Sequence, residues 1–466
     1  MNDDRAGKFE QLDHGRSGVR GLGTTLRWFR DPLAVMGRLA DQQGPVAGFR
    51  IGVFPAVLVT GPEQIHEVLV SRAQEFRRAR AVTGTLWPAL REGLIISEGE
   101  VHRTQRAMVA PLFTARRVPK YVDVMATRMQ AHLRRWQAAG EVDLLAGVQA
   151  MMHDVVAGLL IDEPLDEHAD VVDAATRIFD WEMRAMSRPI VAPLNIPTKR
   201  NRDFIQDLAL VRDWAARMID ARRRHPERHD DIVTALLAQR DRDGAPMSED
   251  RLVDEVINLW AAAHETSADA MFWTAYALSR HPGIARRAAA EADRVLDGAT
   301  PTAEDLHQLP YCLQVFKESM RLYPPSPAFL REAAQETHIG DYTIGEGTIV
   351  FVAPYVMHRS ARQYPNPLAF DPDRFAQESA RPWERLSYLP FGAGEHVCIG
   401  SALALLEGQI FTALLLSGGT LQRIDGDVGM KLTINLRPKR AARAVYTPRR
   451  QVSTRELSGI EVGESR

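Results

Sequence analysis

Cys398 stands in the run Phe391-Gly-Ala-Gly-Glu-His-Val-Cys-Ile-Gly400, and no other stretch restricts the fold of this chain so tightly. Glycines at 392, 394 and 400 flank one cysteine at fixed offsets, and an apolar stretch of helical character, Ser401 to Ser417, follows. Gly392 and Gly394 let the backbone turn sharply and approach a flat partner closely. Gly400 removes a side chain on the other flank of the sulfur. A lone cysteine is usually a small buried hydrophobe. These neighbours describe instead a sulfur presented as an axial ligand. A thiolate held this way can bind haem iron and push electron density onto it, which favours O–O cleavage.

The run resembles the haem-binding signature of the cytochrome P-450 (haem-thiolate monooxygenase) family, Phe-Gly-x-Gly-x-Arg/His-x-Cys-x-Gly. Every fixed position matches, with His396 in the basic slot. The resemblance covers about residues 25 to 447. It implies a fold that is mainly α with small β sheets, a single large domain enclosing haem b (iron protoporphyrin IX), with Cys398 as the metal ligand. The domain is expected over residues 23–450, between mobile tails at 1–22 and 451–466 that are polar or carry Gly and Ser.

Bulk properties agree with such a domain. Of the 466 residues, 45% are hydrophobic and 25% charged, which are ordinary globular values. The formal net charge of -2 gives no sign of a nucleic-acid binder. The positive charge is nearly all arginine and alanine is abundant, a composition of high-GC bacterial genes. Two cysteines make no disulfide framework, so a reducing cytoplasm is the expected compartment. Met1 to Arg20 is polar, without an apolar leader or spanning segment, so no membrane anchor is expected. Glu407 and Gln409 interrupt the apolar run after Cys398, which therefore reads as a buried helix.

Periodicity fills in the frame. Val46 to Thr60 alternates around Gly52 and Pro55 and predicts a hairpin. Three- and four-residue spacing predicts helices over Val122–Ala139, Leu144–Ile161, Phe204–Arg224 and Glu249–Arg280. Leu330 to Val352 returns to strand patterning, with turns at Gly340-Asp341 and Gly345-Glu346-Gly347. Arg359 to Glu384 is rich in Pro and Arg and reads as irregular. The resemblance places a loop over the substrate entrance at Pro189–Pro197.

Within the Glu249–Arg280 helix lies Ala262-Ala263-His264-Glu265-Thr266. The family carries small-Gly-x-acid-Thr where this helix crosses the distal haem face. The resemblance therefore assigns Thr266 as hydrogen-bond donor to O2 in the pocket and Glu265 as the proton-relay acid. Ala263 departs from the family, which usually has Gly there. Glu318 and Arg321, one turn apart, match the family's Glu-x-x-Arg pair, with Arg374 as third partner. Buried together, they would lock the loop leading to Cys398. His102 and Arg106, Arg331 and His396 match the positions that hold haem propionates, where arginine can grip a carboxylate bidentately. Cys312 reads as a core residue.

The resemblance locates a substrate pocket without reading it: the loop Ala81–Ile96, Leu259–Ala263, Ser326–Phe329 and a late hairpin at Thr433–Leu436. Trp87, Leu94, Ile95, Phe329 and Ile434 would give it an apolar lining, so a lipophilic substrate of terpenoid, fatty acyl or polyketide type is expected. No Gly-x-Gly-x-x-Gly follows a strand. Electrons would then come from a ferredoxin or flavodoxin with its reductase, docking near Arg103, Arg116, Arg117 and Lys120. The leading expectation is a soluble monooxygenase that inserts one atom of O2. The alternatives are a hydrogen-peroxide-driven peroxygenase and a non-catalytic haem protein that binds a ligand. Glu265 and Thr266 favour the first.

Overall fold

The computed structural model describes residues 10–11, 19–163, 168–187, 192–376, 386–424 and 426–449. The longest helix, Glu249–Arg280, runs through the middle of the molecule. From Leu252 to Leu278 nearly every side chain is buried, and only Ala261, Ala262, Ala263 and Thr266 are not. It packs against Leu144–Leu160, Lys199–Arg224, Pro310–Leu322 and Ser401–Gly418. Local chemistry starts these neighbours. Asp143 accepts from the Ala146 N–H at 3.2 Å and Thr198 from the Asn201 N–H at 3.1 Å, satisfying first-turn donors.

The strands form small sheets beside this helical body. The largest has five strands, ordered Val46–Ile51, Phe54–Val59, Ile349–Val352, Phe329–Ala333 and Phe76–Arg78. Val46 pairs with Val59 and Ile51 with Phe54, leaving Gly52 and Val53 as the predicted turn. The last strand pair sets Arg78 opposite Arg331.

The four helices expected from periodicity are present, with Lys199–Arg224 starting earlier than the pattern implied. The expected loop over 81–96 is corrected: Arg80–Leu90 is a helix. Gly84 and Pro88 read as breakers in sequence, but the chain tolerates both there. Regular structure also begins inside residues 1–22. Glu10–Gln11 pairs with Tyr342 and Thr343, and Val19–Arg30 is helical. The segment 451–466, residues 189–191 of the expected entrance loop and residues 377–384 of the irregular stretch lie outside the described residues.

Among the described residues, Ser401–Gly418 is the one helix long and apolar enough to cross a membrane. Its side chains from Glu407 to Leu416 are buried in the protein core, which accounts for that composition.

Candidate active site

The cysteine loop is fixed by the backbone first. The Cys398 N–H donates to the Phe391 carbonyl at 2.9 Å, closing the loop on itself. Gly394 has φ +73°, and a Cβ there would collide with the Leu69 carbonyl oxygen, so only glycine fits. Burial pushes the Cys398 thiol above its usual range, while the Gly400 N–H and the nearby Arg106 charge push the other way. These last two are the groups that favour a thiolate. The Cys398 residue as a whole is nonetheless exposed.

Behind the loop stands a buried polar scaffold. Arg321 donates to both Glu318 oxygens at 2.7 and 2.8 Å, and neither side chain is exposed. The same guanidinium donates to the carbonyls of His358, Pro367 and Ala369 at 2.6, 2.7 and 2.9 Å. Arg374 Nε lies 3.5 Å from Glu318, as the expected third partner. His358 completes the connection. Its Nε2 accepts from the Leu389 N–H at 2.9 Å, so its Nδ1 carries the proton donated to the Arg321 carbonyl at 3.1 Å. Burial pushes this imidazole down to about 3, so it stays neutral. The ring ties the Glu318 helix to the segment that opens the cysteine loop.

On the flank of that loop lies a cluster of basic groups. Arg78 Nη2 donates to His396 Nδ1 at 3.0 Å, and His396 Nδ1 lies 3.1 Å from His102 Nε2. The two imidazole centroids are 4.1 Å apart. Arg78 and Arg331 face each other across two strands, a like-charged pair that costs stability unless compensated. Burial lowers Arg78 to about 10 and also lowers Arg331. Neither guanidinium makes an ion pair with a carboxylate among the described residues. Burial, then Arg78, pushes His396 down to about 2. His396 Nδ1 is occupied by Arg78, which leaves its Nε2 as the N–H able to donate to a propionate. Burial and then Arg78 also lower His102, which Glu395 opposes. Half-buried cations with no carboxylate of their own, beside an exposed cysteine, fit the iron and two propionates of a haem.

The Glu249–Arg280 helix breaks its burial at Ala261, Ala262, Ala263 and Thr266. Thr266 Oγ1 donates to the Ala262 carbonyl at 2.7 Å, one turn back. Ala262 is exposed and Ala263 half-buried, so this face is lined by methyl groups and one hydroxyl. Glu265 points elsewhere. It is 3% exposed, accepts from Gln149 at 3.4 Å, and is in direct contact with the Arg437 guanidinium.

A family model described as Cytochrome P450 matches residues 22–429. The chain belongs to the cytochrome P450 family. It is 32% identical over 415 residues to cyclooctat-9-en-7-ol 5-monooxygenase of Streptomyces melanosporofaciens, covering 87% of this chain and 88% of that protein. It is also 32% identical over 408 residues to cyclooctatin synthase of the same organism, with the same coverage. Pentalenene oxygenase of Streptomyces avermitilis is 29% identical over 438 residues, covering 92% and 94%. This P450 is an oxidoreductase that incorporates molecular oxygen, with haem iron as its cofactor.

Three residues of this P450's site escape a sequence reading. Arg78 sits in Phe76-Arg77-Arg78, which reads as an ordinary charge run until the strand pairing with Arg331 is known. His358 has no motif around it that distinguishes it from other histidines. Arg437 lies on the late hairpin, in the strand Leu436–Pro438, and also approaches Asp269, 3.6 Å away, while Asn435 donates to Asp269 at 3.0 Å. Of the expected pocket residues, Leu94 is buried, Ile95, Phe329 and Ile434 are half-buried, and Trp87 is 57% exposed. Arg103 spends its charge on Glu100 at 2.8 Å and Glu395 at 3.7 Å, leaving Arg116 and Lys120 exposed. Cys312 is buried, and burial raises its thiol well above the usual range.

Proposed function

We propose that this P450 oxygenates a lipophilic terpenoid hydrocarbon or alcohol, using haem b and electrons from a ferredoxin or flavodoxin with its reductase, in the cytoplasm. The observation that carries the reading is the half-buried arginine cluster beside an exposed, backbone-held Cys398. The relatives' names support the substrate class: one names an unsaturated alcohol oxygenated at carbon 5, another an alkene. The methyl-lined face at Ala262 and Ala263, with no fixed charge on it, suits an apolar skeleton.

Cys398 would hold the iron as thiolate, with Arg78, Arg106, Arg331, His102 and His396 on the propionates. Bound haem supplies O2 activation and transfer of one oxygen atom. The chain's part is to position, exclude water and deliver protons. Thr266 holds a proton at Oγ1 and parks it on the Ala262 carbonyl. A small rotation presents that proton to the groove. Glu265, next in sequence but on the buried side, is the acid that would replace it. The polar scaffold around Glu318 and His358 keeps Cys398 at a fixed height.

The test is the ferrous-minus-ferrous–carbon monoxide spectrum of wild type and Cys398→Ala, followed by turnover of pentalenene with a surrogate ferredoxin and reductase. A red-shifted Soret band in wild type alone, with an oxygenated product, supports the reading. A histidine-type spectrum overturns the site assignment. A correct spectrum without product from pentalenene or other terpenes overturns the substrate class.

A further inference from the structure

The relay acid has a buried neighbour that the family motif does not specify. His264 lies on the side of its helix facing Leu144–Leu160, where its ring stacks on His153 with centroids 4.3 Å apart and planes 28° from parallel. Both rings are buried. His264 Nδ1 is 2.8 Å from the Trp260 carbonyl, which can only accept, so the ring proton sits on Nδ1. Nε2 is then a lone pair. It has no hydrogen-bond partner, and Glu265 Oε1 lies 3.5 Å from it.

Two acceptors facing each other in a buried site cost free energy unless a proton lies between them. The other Glu265 oxygen, Oε2, is taken by Arg437 and Gln149. We propose that His264 Nε2 and Glu265 Oε1 share one proton, so that His264 is a positioning residue that keeps the relay acid loaded and its Oε1 fixed. Release of that proton toward Thr266 leaves a neutral imidazole beside a carboxylate paired with Arg437. Solvent water returns the proton.

The groups facing His264 agree with this. From Leu144–Leu160 come His153 and Gln149, both uncharged, because burial and then His264 push His153 down to about 3. From its own helix come the Trp260 carbonyl, Glu265 and Asp269, and from Leu436–Pro438 comes Arg437. Burial holds His264 at about 4; the Trp260 carbonyl opposes that and Arg437 adds to it. The imidazole is therefore the acceptor at neutral pH. The stacked His153 excludes water from its face and fills what would otherwise be a cavity.

The inference rests on the relay reading of Glu265 and Thr266, and its first test needs no turnover. The ferrous–carbon monoxide protein is diamagnetic and can be labelled with [15N]histidine. His264 is assigned by the signals lost in His264→Leu. The expected result is a protonated Nδ1 and an Nε2 shift between those of a free lone pair and an N–H. That shift should move to the lone-pair value in Glu265→Ala. An Nε2 shift that is the same with and without Glu265 overturns the shared proton. The second test measures hydrogen peroxide released per NADPH consumed, with a plant-type ferredoxin and reductase. His264→Leu should raise it by up to about tenfold, less than the roughly hundredfold or more that a proton donor itself contributes, because His264 only positions the acid. His264→Gln, which can still bridge to Oε1, should restore most of the loss. Equal peroxide release in wild type, Leu and Gln variants overturns the positioning role. Thr266→Ala separates the two readings: unchanged peroxide there sinks the relay, while the His264 spectrum still decides the shared proton.

Discussion

The loop that presents Cys398 and the helix turn that presents Thr266 are held by different means. Around Cys398 the groups held are backbone amides and carbonyls, gripped by one another or by fully buried side chains: Cys398 to Phe391, Leu389 to His358, and three carbonyls on Arg321. Around Thr266 they are side chains from distant segments: Gln149, Arg437 and the His264–His153 stack. Bonds to backbone groups fix the course of the chain itself. Side-chain bonds to a carboxylate can be exchanged. A metal ligand needs the first kind of support and a proton carrier the second.

The sharpest way to break this contrast is Arg321→Ala. It leaves Glu318 buried with only Arg374 and the Asp371 N–H, which donates at 2.8 Å, to compensate it. The expected cost is about 3–5 kcal/mol, with haem lost on purification. Haem per chain and the unfolding midpoint measure it. Arg321→Lys should not rescue, because one ammonium cannot serve two carboxylate oxygens and three carbonyls. Normal haem content in the Ala variant would show that the loop holds its shape without the scaffold.

That contrast also explains what the sequence could say. The cysteine loop was legible because its glycines, its Phe391 and its acid–arginine pair are local patterns, and backbone geometry depends on local residue type. The helix over Glu249–Arg280 and the Thr266 hydroxyl were legible for the same reason. Arg437 was not, because its approach to Glu265 depends on how a hairpin 172 residues further on packs against that helix. Arg78 was hidden likewise: only strand pairing sets it opposite Arg331. The helix at Arg80–Leu90 stood outside the local patterns, because the loop expected there came from the family resemblance and Gly84 and Pro88 weaken its helical signal.

Glu407 joins the two regions and gives a pH test. It lies on the helix after Cys398, and its Oε2 accepts from Ser267 Oγ, beside Thr266, at 2.7 Å. Burial raises its carboxyl from 4.5 to about 7, opposed by Ser267. Between those values the folded chain holds a proton that the unfolded chain has released. The contribution is therefore full below about 4.5 and is lost as pH rises through about 7, on the order of 3 kcal/mol in total. Glu407→Gln removes the titration. Its unfolding free energy relative to wild type should rise across that window and level off above it. A difference independent of pH would mean that Glu407 ionises freely in the fold.

His358→Leu tests the cysteine side more gently. It leaves the Leu389 N–H without its buried acceptor and removes the donor to the Arg321 carbonyl. The expected cost is about 2 kcal/mol, with haem retained but its carbon monoxide complex drifting toward the form that lacks thiolate ligation. Denaturant unfolding and the spectrum over time report the two effects separately. A stable thiolate spectrum with the full energetic cost would place His358 in folding alone.

The smallest change tests the distal side. Ala263→Gly restores the residue the family usually carries at the turn before Thr266. Glycine inside a helix costs about 1 kcal/mol, so the unfolding midpoint should fall slightly. The gain would be room, since Ala262 and Ala263 bring methyl groups to the accessible face. Carbon monoxide rebinding after flash photolysis reads that room directly. A faster rate with a small stability loss means that the methyl narrows the gas path, and that this chain exchanges access for helix stability. An unchanged rate with the same loss means that the face is shaped by Ala262 and Thr266. Ala263 would then stabilise the helix without restricting the pocket, and the proton network behind Glu265 would be the feature that sets this distal side apart.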